Sequence, residues 1–251
     1  MLRPERWLMR TKVRQSPPRL RLFCFPYAGG GAAIYRTWSS YLPEDIEVCP
    51  VHLPGRELRI KEPAFTHIAP LVRVLAHVLR PRMDVPFAFF GYSMGALISF
   101  ELARYLQQAQ MPEPQHLFVS AHRAPHLPDI HASVSHLSDS EFLSHIFRLG
   151  GTPVEILRET ELMQMMLPTL RADFTLCEKY TYTAESPFTH PITAFGGIDD
   201  KTVSEQELQA WREQTTSDFT LHMFPGDHFF LREHVRELVQ CIGEALDNIP
   251  L

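Results

Sequence analysis

The chain alternates short apolar runs with longer segments in which apolar residues recur every three or four positions. The short runs predict buried strands at about 20–25, 46–51, 87–90, 117–120, 191–196 and 219–224. The periodic segments predict helices at about 34–41, 66–79, 96–108, 204–212 and 232–246. Strands that alternate with helices favour right-handed crossovers and a largely parallel sheet, so we expect an α/β domain.

The third apolar run leads directly into Gly91-Tyr92-Ser93-Met94-Gly95, and an apolar helical run follows. A strand, a Gly-x-Ser-x-Gly turn and a helix together form a nucleophile elbow. Glycine at both ends of such a turn removes steric clashes and tolerates the strained backbone. The pattern therefore predicts that Ser93 is exposed at the N-terminus of a helix, where the helix dipole favours negative charge.

An acid and a histidine follow two later strands. Asp200 comes shortly after the strand at 191–196, and His228 comes after the strand at 219–224. Sites in parallel sheets form at this carboxyl edge. The order serine, acid, histidine is the one expected of α/β-hydrolases. His228 would accept the proton of Ser93, and Asp200 would orient and stabilise the imidazole. Asp199 is the competing acid, because a loop shift of one residue would exchange the two.

The glycine-rich loop Tyr27–Gly31 follows the first strand. It lacks the lysine of a phosphate-binding P-loop and does not match G-x-G-x-x-G. In a hydrolase of this kind, one backbone N–H of this loop supplies half of the oxyanion hole, and the N–H after the nucleophile supplies the other half. That second donor would be Met94.

The alternation of strands and helices stops between about 125 and 186. Ser138 and Glu141 form a capping box before one helix, which Gly150-Gly151 ends, and segments 154–167 and 170–180 also have helical character. We expect an N-terminal arm at 1–19, a core at 20–124 and 187–251, and a helical lid inserted at 125–186 above Ser93. The methionines of the lid are either core or the lining of a pocket for variable apolar chains.

Composition excludes several classes of protein. The chain has 251 residues, a net charge of −5 and no basic block that would indicate nucleic-acid binding. The four cysteines are far apart and indicate free thiols in a reducing compartment. No apolar run is long enough to span a membrane, and residues 1–19 predict a frayed polar arm rather than a secretion signal. We therefore expect a cytoplasmic protein.

Histidines are concentrated between 116 and 145, but they do not form a metal-binding pattern. His122 and His126 are four apart, yet Pro125 argues against a helix between them. We interpret the group as solvated loop histidines and expect no metal. Its members are His116, His122, His126, His131, His136 and His145.

Five motifs together resemble the type II thioesterases, the stand-alone enzymes that accompany polyketide and nonribosomal peptide synthases. The resemblance extends over about 20–242. The motifs are Phe25-Pro26-Tyr27-Ala28-Gly29-Gly30, Leu53-Pro54-Gly55-Arg56-Glu57, Gly91-Tyr92-Ser93-Met94-Gly95, Leu170-Arg171-Ala172-Asp173-Phe174 and Pro225-Gly226-Asp227-His228-Phe229.

The resemblance implies an α/β-hydrolase fold and a full set of roles. Ser93 would be the nucleophile, His228 the base, and Asp200, three residues after Gly197, the acid, with Ala28 and Met94 as oxyanion donors. The implied activity is hydrolysis of acyl groups from the phosphopantetheine arm of an acyl or peptidyl carrier protein, which clears stalled or misprimed chains. No metal or organic cofactor is implied, and we expect a monomer. Candidate substrate-binding residues are Tyr27, Met163, Met166 and Phe229.

Two alternatives stay open at this point. A carboxylesterase or lipase that acts on small free esters would use the same three residues, and a binding protein on a hydrolase fold would use none of them for catalysis.

Four cations are expected near the carboxyl edge of the sheet, where they could meet an acidic carrier protein. They are Arg56, Arg59, Lys61 and Arg123.

Overall fold

The computed structural model describes residues 4–9, 17–130, 132–150, 160–247 and 249. Its strands form one sheet in the order β2-β1-β3-β4-β5-β6, and every neighbouring pair is parallel. The expectation of an α/β fold with a mostly parallel sheet is thus confirmed. The strands are β1 Leu20–Phe25, β2 Ile46–Pro50, β3 Phe87–Tyr92, β4 Leu117–Ser120, β5 Ile192–Gly197 and β6 Phe219–Phe224.

The α-helices of the described residues agree with most of the sequence predictions. They are α1 Ile68–Leu79, α2 Met94–Gln108, α3 Asp139–Arg148, α4 Thr160–Glu178, α5 Glu205–Gln209 and α6 Val235–Asp247. The capping box predicted at Ser138 and Glu141 is formed, with both of its hydrogen bonds. Helices therefore begin and end largely where local sequence signals place them.

Both faces of the sheet are covered, which explains the continuous apolar runs of the strands. On β3, Phe87 and Phe89 point into a core shared with α1 and α2, whereas Ala88 and Phe90 point into a core shared with α6. All four are at most 2 % exposed. This central strand is consequently a rigid base for the turn that follows it.

Two helical predictions differ from the structure. Segment 34–41 is not an α-helix, because Ala32–Tyr35 and Trp38–Ser40 form two separate 3-10 helices. Tyr35 and Trp38 pack edge to face in the core, with ring centroids 4.9 Å apart, and the tight turns bring both rings to one side. The helices predicted at 154–167 and 170–180 form one helix, α4, despite Pro168; residues 154–159 lie outside the described residues.

The prediction of a frayed N-terminal arm is wrong for residues 4–9. Trp7 is 3 % exposed, and Leu8 forms an antiparallel bridge with Val51 beside β2. The guanidinium group of Arg59 lies 4.0 Å from the centre of the Trp7 ring, a favourable cation–π contact. The buried ring, two backbone hydrogen bonds to Pro50 and His52, and the ion pair of Arg6 with Glu62 together hold this short segment on the domain.

Residues 125–186 lie between β4 and β5, and their described part contains α3 and α4 but no strand. These helices enclose a small apolar cluster of their own, formed by Val134, Phe142, Ile146, Met163 and Leu170. Among all the described residues, no helix has the length and hydropathy needed to cross a bilayer. The same part of the chain contains no grouping of three or more His, Cys, Asp or Glu side chains suited to a metal ion.

Candidate active site

Ser93 occupies a strained turn between β3 and α2. Its φ of +52° is unusual for a residue with a side chain, and such strain is typical of functional sites. A Cβ atom at Gly91 would collide with the backbone of Gly95, and one at Gly95 would collide with the carbonyl group of Phe25 at the end of β1. The two glycines are therefore required by close backbone contacts. They let α2 begin directly against the sheet, as the sequence predicts.

Three side chains from separate loops form a continuous hydrogen-bonded relay. Nε2 of His228 lies 3.1 Å from Oγ of Ser93, and Nδ1 of His228 lies 2.8 Å from Oδ2 of Asp200. Oγ of Ser93 does not cap its own helix, so it is free to face the imidazole. The hydroxyl group of Tyr92 donates to the backbone carbonyl of His228 and fixes the histidine loop against β3. This geometry allows proton transfer from serine to histidine.

Asp200, and not Asp199, is the acid beside His228. The side chain of Asp200 is only 1 % exposed, and its Oδ1 accepts from the Thr202 hydroxyl at 2.7 Å and the Thr202 N–H at 2.8 Å. Burial alone would raise the pKa of Asp200, but the hydrogen bond and charge of His228 and the two bonds from Thr202 lower it below its usual value. Asp199 is exposed, and Asp227 instead accepts from the N–H of Phe229.

Backbone donors for an oxyanion are available on both sides of Ser93. Met94 is the first residue of α2, so its N–H has no acceptor within the helix. In the loop Tyr27–Gly31, the N–H of Gly29 donates to Asp173 at 2.7 Å and that of Gly30 donates to Tyr27 at 2.9 Å. Ala28 lies on the same cavity as Ser93 and Met94. Its N–H is the loop donor that fits the predicted role.

A cavity of about 800 Å³ opens beside Ser93 and His228, with walls from both the core and residues 125–186. Of the predicted substrate-binding residues, Tyr27, Met166 and Phe229 line this cavity. Met163 does not, since it is 4 % exposed and packs inside the cluster between α3 and α4. The apolar part of the wall is contributed mainly by Ile34, Val134, Ile146, Leu149, Leu170 and Phe174.

Two cations that the sequence suggested for carrier contact are buried. Arg56 and Arg59 are each 5 % exposed, and they pair with Asp173 and Glu62, respectively. Both therefore have structural partners and cannot meet a macromolecule at the surface. Arg123 is partly buried and pairs with Asp129 at 3.0 Å, whereas Lys61 is exposed. Lys201 and Arg232, which sequence reasoning did not select, lie exposed at the wall of the cavity.

The interpretation of the histidines as solvated is wrong for His116 and incomplete for His122. The ring of His116 stacks on Phe118 with centroids 4.1 Å apart, and burial lowers its pKa to about 3. His122 lies at the cavity, where burial and the neighbouring Arg123 lower its pKa to about 4. Both imidazoles are consequently neutral near pH 7. His131 lies outside the described residues.

Sequence reasoning missed Thr202 and the buried pair of Arg56 and Asp173. Oγ1 of Thr202 lies 2.9 Å from Nδ1 of His228 as well as 2.7 Å from Asp200, so it supports both members of the relay. No sequence signal marks this threonine. Arg56 and Asp173 both lie in motifs that carry the family resemblance, and that was the available signal.

A parallel sheet with a serine at a strand–helix turn, and with an acid and a histidine after later strands, defines the α/β-hydrolase class. A family model described as "Thioesterase domain" matches residues 20–246. The chain is 47% identical over 248 residues to "Linear gramicidin dehydrogenase LgrE" of Brevibacillus parabrevis, covering 98% of this chain and 94% of that protein.

The chain is also 47% identical over 241 residues to "Gramicidin S biosynthesis protein GrsT" of Aneurinibacillus migulanus, covering 96% of this chain and 94% of that protein. Among solved structures, the type II thioesterase BorB from the borrelidin biosynthetic cluster superposes with a TM-score of 0.87 at 37% identity, covering 96% of this chain and 97% of BorB. The chain belongs to the thioesterase family, and within it to the type II thioesterases associated with nonribosomal peptide and polyketide synthases.

Proposed function

We propose that this chain hydrolyses acyl thioesters on the phosphopantetheine arm of carrier proteins and thereby clears stalled or misprimed chains from a nonribosomal peptide or polyketide synthase. The observation that carries the proposal is the relay of Ser93, His228 and Asp200 at the wall of a large, mainly apolar cavity. Such a cavity accepts the acyl chain, and membership of the type II thioesterases supports the thioester and the carrier protein as substrate.

The chemistry follows from the positions of the groups. His228 takes the proton of Ser93, whose oxygen attacks the thioester carbonyl, while the N–H groups of Met94 and Ala28 stabilise the oxyanion. The C–S bond breaks and His228 returns the proton to the departing thiol of the phosphopantetheine arm. Water, activated by the same imidazole, then attacks the acyl-serine and releases a carboxylic acid. Asp200 stabilises the imidazolium in both halves of the reaction.

Residues 125–186 act as a lid in this proposal. They contribute Ile146, Leu149 and Phe174 to the cavity wall, so they must move relative to the core when a long chain and its arm enter or leave. Exposed Lys201 and Arg232 at the same wall suit an acidic carrier surface or the phosphate of the arm. One relative is named a dehydrogenase. We do not propose dehydrogenase activity for this chain, because its Tyr27–Gly31 loop does not match the dinucleotide-binding G-x-G-x-x-G motif.

The decisive test is mass spectrometry of a panel of acyl-carrier proteins before and after exposure to the protein. We expect the acyl mass to disappear and the free phosphopantetheine thiol to appear, while Ser93→Ala leaves the carriers acylated. Loss of a triad member typically lowers kcat by about 10⁴- to 10⁶-fold, which brings turnover close to the background rate. A Ser93→Ala variant that keeps more than a tenth of the wild-type turnover would refute the assignment of the nucleophile.

Parallel substrates separate the remaining alternatives. Efficient turnover of p-nitrophenyl esters with acyl carriers left intact would indicate a carboxylesterase, and failure of a fluorophosphonate to label Ser93 would indicate a binding protein. The kcat/KM of one acyl group on a carrier and on coenzyme A, at low and high salt, tests the carrier contact. We expect the carrier to be preferred and its advantage to shrink with salt. The expected monomer stays a prediction, which sedimentation can test.

A further inference from the structure

The loop that presents Ala28 is a tight turn. The N–H of Gly30 donates to the carbonyl of Tyr27 at 2.9 Å, which closes the turn around Ala28 and Gly29. Gly29 has a φ of +76°, the left-handed value that the third position of a type II turn requires. In such a turn the central peptide, which joins Ala28 and Gly29, can flip between two orientations. Something outside the turn has to select one of them.

Asp173 makes that selection. Its Oδ2 accepts from the N–H of Gly29 at 2.7 Å, so the central peptide points its donor at a carboxylate. A flip would point the carbonyl oxygen of Ala28 at the same negative charge, which is unfavourable in a buried site. The side chain of Asp173 is 3 % exposed, so water has little access to this carboxylate. The carboxylate therefore fixes the central peptide of the turn. The Ala28 N–H belongs to the preceding peptide, whose carbonyl group accepts from the N–H of Gly30, so Asp173 acts on it through the turn as a whole.

Arg56 holds Asp173 in place. Its Nη1 and Nη2 donate to the two carboxylate oxygens at 2.9 and 2.8 Å, a bidentate pair, and Nη1 also donates to the carbonyl of Gly30 at 3.1 Å. Arg56 thus contacts the turn and the carboxylate together. Glu57, the next residue, accepts from the N–H groups of Ala32 and Ala33 immediately beyond the turn.

Asp173 belongs to α4, the long helix of residues 125–186, and not to the core. On the same face of α4, Leu170 packs over Gly29, and Thr169 donates to the carbonyl of Gly55, which precedes Arg56. When α4 lifts from the core, Gly29 loses its acceptor and Arg56 loses its counter-charge. The seating of α4 and the shape of the turn are therefore linked.

We propose that Asp173 is a positioning residue for the oxyanion hole: it fixes the turn that presents the Ala28 N–H, Arg56 fixes Asp173, and the hole is complete only when α4 is seated. This inference rests on the proposed function, since it assigns Ala28 as an oxyanion donor. It adds that helix α4 takes part in forming the hole as well as in covering the substrate.

The test compares variants on a p-nitrophenyl ester, which needs the serine chemistry but no carrier protein. We expect Asp173→Ala to lower kcat by about 30- to 300-fold with KM changed less than threefold, since loss of one oxyanion donor costs about a hundred- to a thousandfold. Asp173→Asn keeps an acceptor for Gly29 and should lose about tenfold or less. Inhibition by an alkyl trifluoromethyl ketone, whose adduct with Ser93 carries an oxyanion, should weaken in parallel with kcat/KM.

A double variant separates positioning from stability. Asp173→Ala leaves Arg56 buried without a partner and will also destabilise the fold, whereas replacement of a buried ion pair by apolar residues often restores stability. Arg56→Met/Asp173→Leu should therefore regain most of the melting temperature while its kcat stays low. Arg104→Met is the matched control: it breaks the pairs that buried Arg104 forms with Glu101 of α2 and with Glu185, none of which lines the cavity, and it should lower stability without lowering kcat.

Two results would overturn the inference. One is a kcat of Asp173→Ala within threefold of wild type; the other is a double variant that regains kcat together with stability. A loss seen only as a raised KM would equally show that α4 merely covers the substrate. The rate at which a fluorophosphonate labels Ser93 compares the wild type with the same variants in a way that does not depend on which substrate the protein prefers. If the wild type cleaves esters but leaves acyl carriers intact, the proposed function fails while the role of Asp173 is still measured.

Discussion

Replacement of Asp200 by asparagine removes the charge of the relay, and where the amide nitrogen faces His228 it also removes the acceptor for Nδ1. The amide is the same size, and its oxygen can still accept from the backbone N–H groups of Thr202 and Val203, which lie 2.8 and 3.2 Å from Oδ1. The side chain is 1 % exposed, so neither water nor salt can replace the missing charge. The variant therefore isolates what the carboxylate contributes to catalysis.

The size of the effect follows from the distance. A hydrogen bond of 2.8 Å joins Asp200 to His228, which places the two charge centres roughly 4 Å apart. At an effective dielectric constant of about 20, such a pair is worth about 4 kcal/mol in the state where the imidazole is positive. This corresponds to a rate factor of about 10³. An amide N–H facing Nδ1 would also favour the wrong tautomer, so we expect kcat to fall by about 10³- to 10⁴-fold.

The assay is steady-state hydrolysis of a p-nitrophenyl ester, with circular dichroism to show that each variant is folded. Asp199→Asn is the matched control, because it makes the same change one residue earlier on an exposed side chain. We expect its kcat to stay within about twofold of wild type, as is usual for surface substitutions. The pair thus tests the register of the loop as well as the role of the charge.

Either of two outcomes would refute this reasoning. If Asp199→Asn causes the larger loss, the acid has been assigned one residue too late. If Asp200→Asn keeps more than a tenth of the wild-type kcat, the charge does not stabilise the imidazolium in the transition state, and the hydroxyl group of Thr202 would have to hold the imidazole instead.

Three further predictions concern the supports of the site and fold. Thr202→Val should lower kcat/KM about tenfold, the value of one hydrogen bond, and an unchanged kcat/KM would dismiss this support. Gly95→Ala should lower the free energy of unfolding in urea by about 3 kcal/mol through overpacking. Gly243→Ala, where an added Cβ would come no closer than 3.4 Å to Leu42, should leave that free energy unchanged or raise it. Equal losses for the two variants would contradict the close contact at Gly95. Burial lowers the pKa of His116 to about 3 and that of His190 to about 4 from 6.5, so the unfolded chain protonates first. Stability should thus be full above pH 6.5 and fall by ~1.4 kcal/mol per pH unit for each such histidine, buried His122 included, as the pH drops; His116→Phe should remove one histidine's share of that slope, and an unchanged slope would contradict it.

Local patterns in the sequence were sufficient for most of the fold. Apolar runs that are buried on both faces predict the strands of a parallel sheet, and β4 and β6 have the predicted boundaries. The glycines around Ser93 predict the turn before α2, because only glycine fits where backbones touch. Each of these features depends on neighbours a few positions apart, so the sequence carries it directly.

Patterns that depend on distant contacts were missed or misjudged. Trp7 lies in a polar, arginine-rich segment, and nothing in that segment predicts that Trp7 packs against Arg59 and that Leu8 forms a bridge with Val51. Arg56 and Arg59 resemble surface cations in the sequence, yet both are buried. Arg56 pairs with Asp173 of α4, and Arg59 pairs with Glu62 three residues later. Charge alone does not reveal whether a partner lies nearby in space.

The sequence by itself determined the class of the site: a serine at an elbow, followed in order by an acid and a histidine at strand ends. The tertiary structure decided which acid faces His228, which methionine reaches the cavity, and that Asp173 of α4 contacts the loop of Ala28 across 144 positions of the chain. The physical reason is that a strand or a turn is set by steric and hydrophobic preferences of adjacent residues. A buried hydrogen bond between distant segments is set only by how the packed elements bring them together.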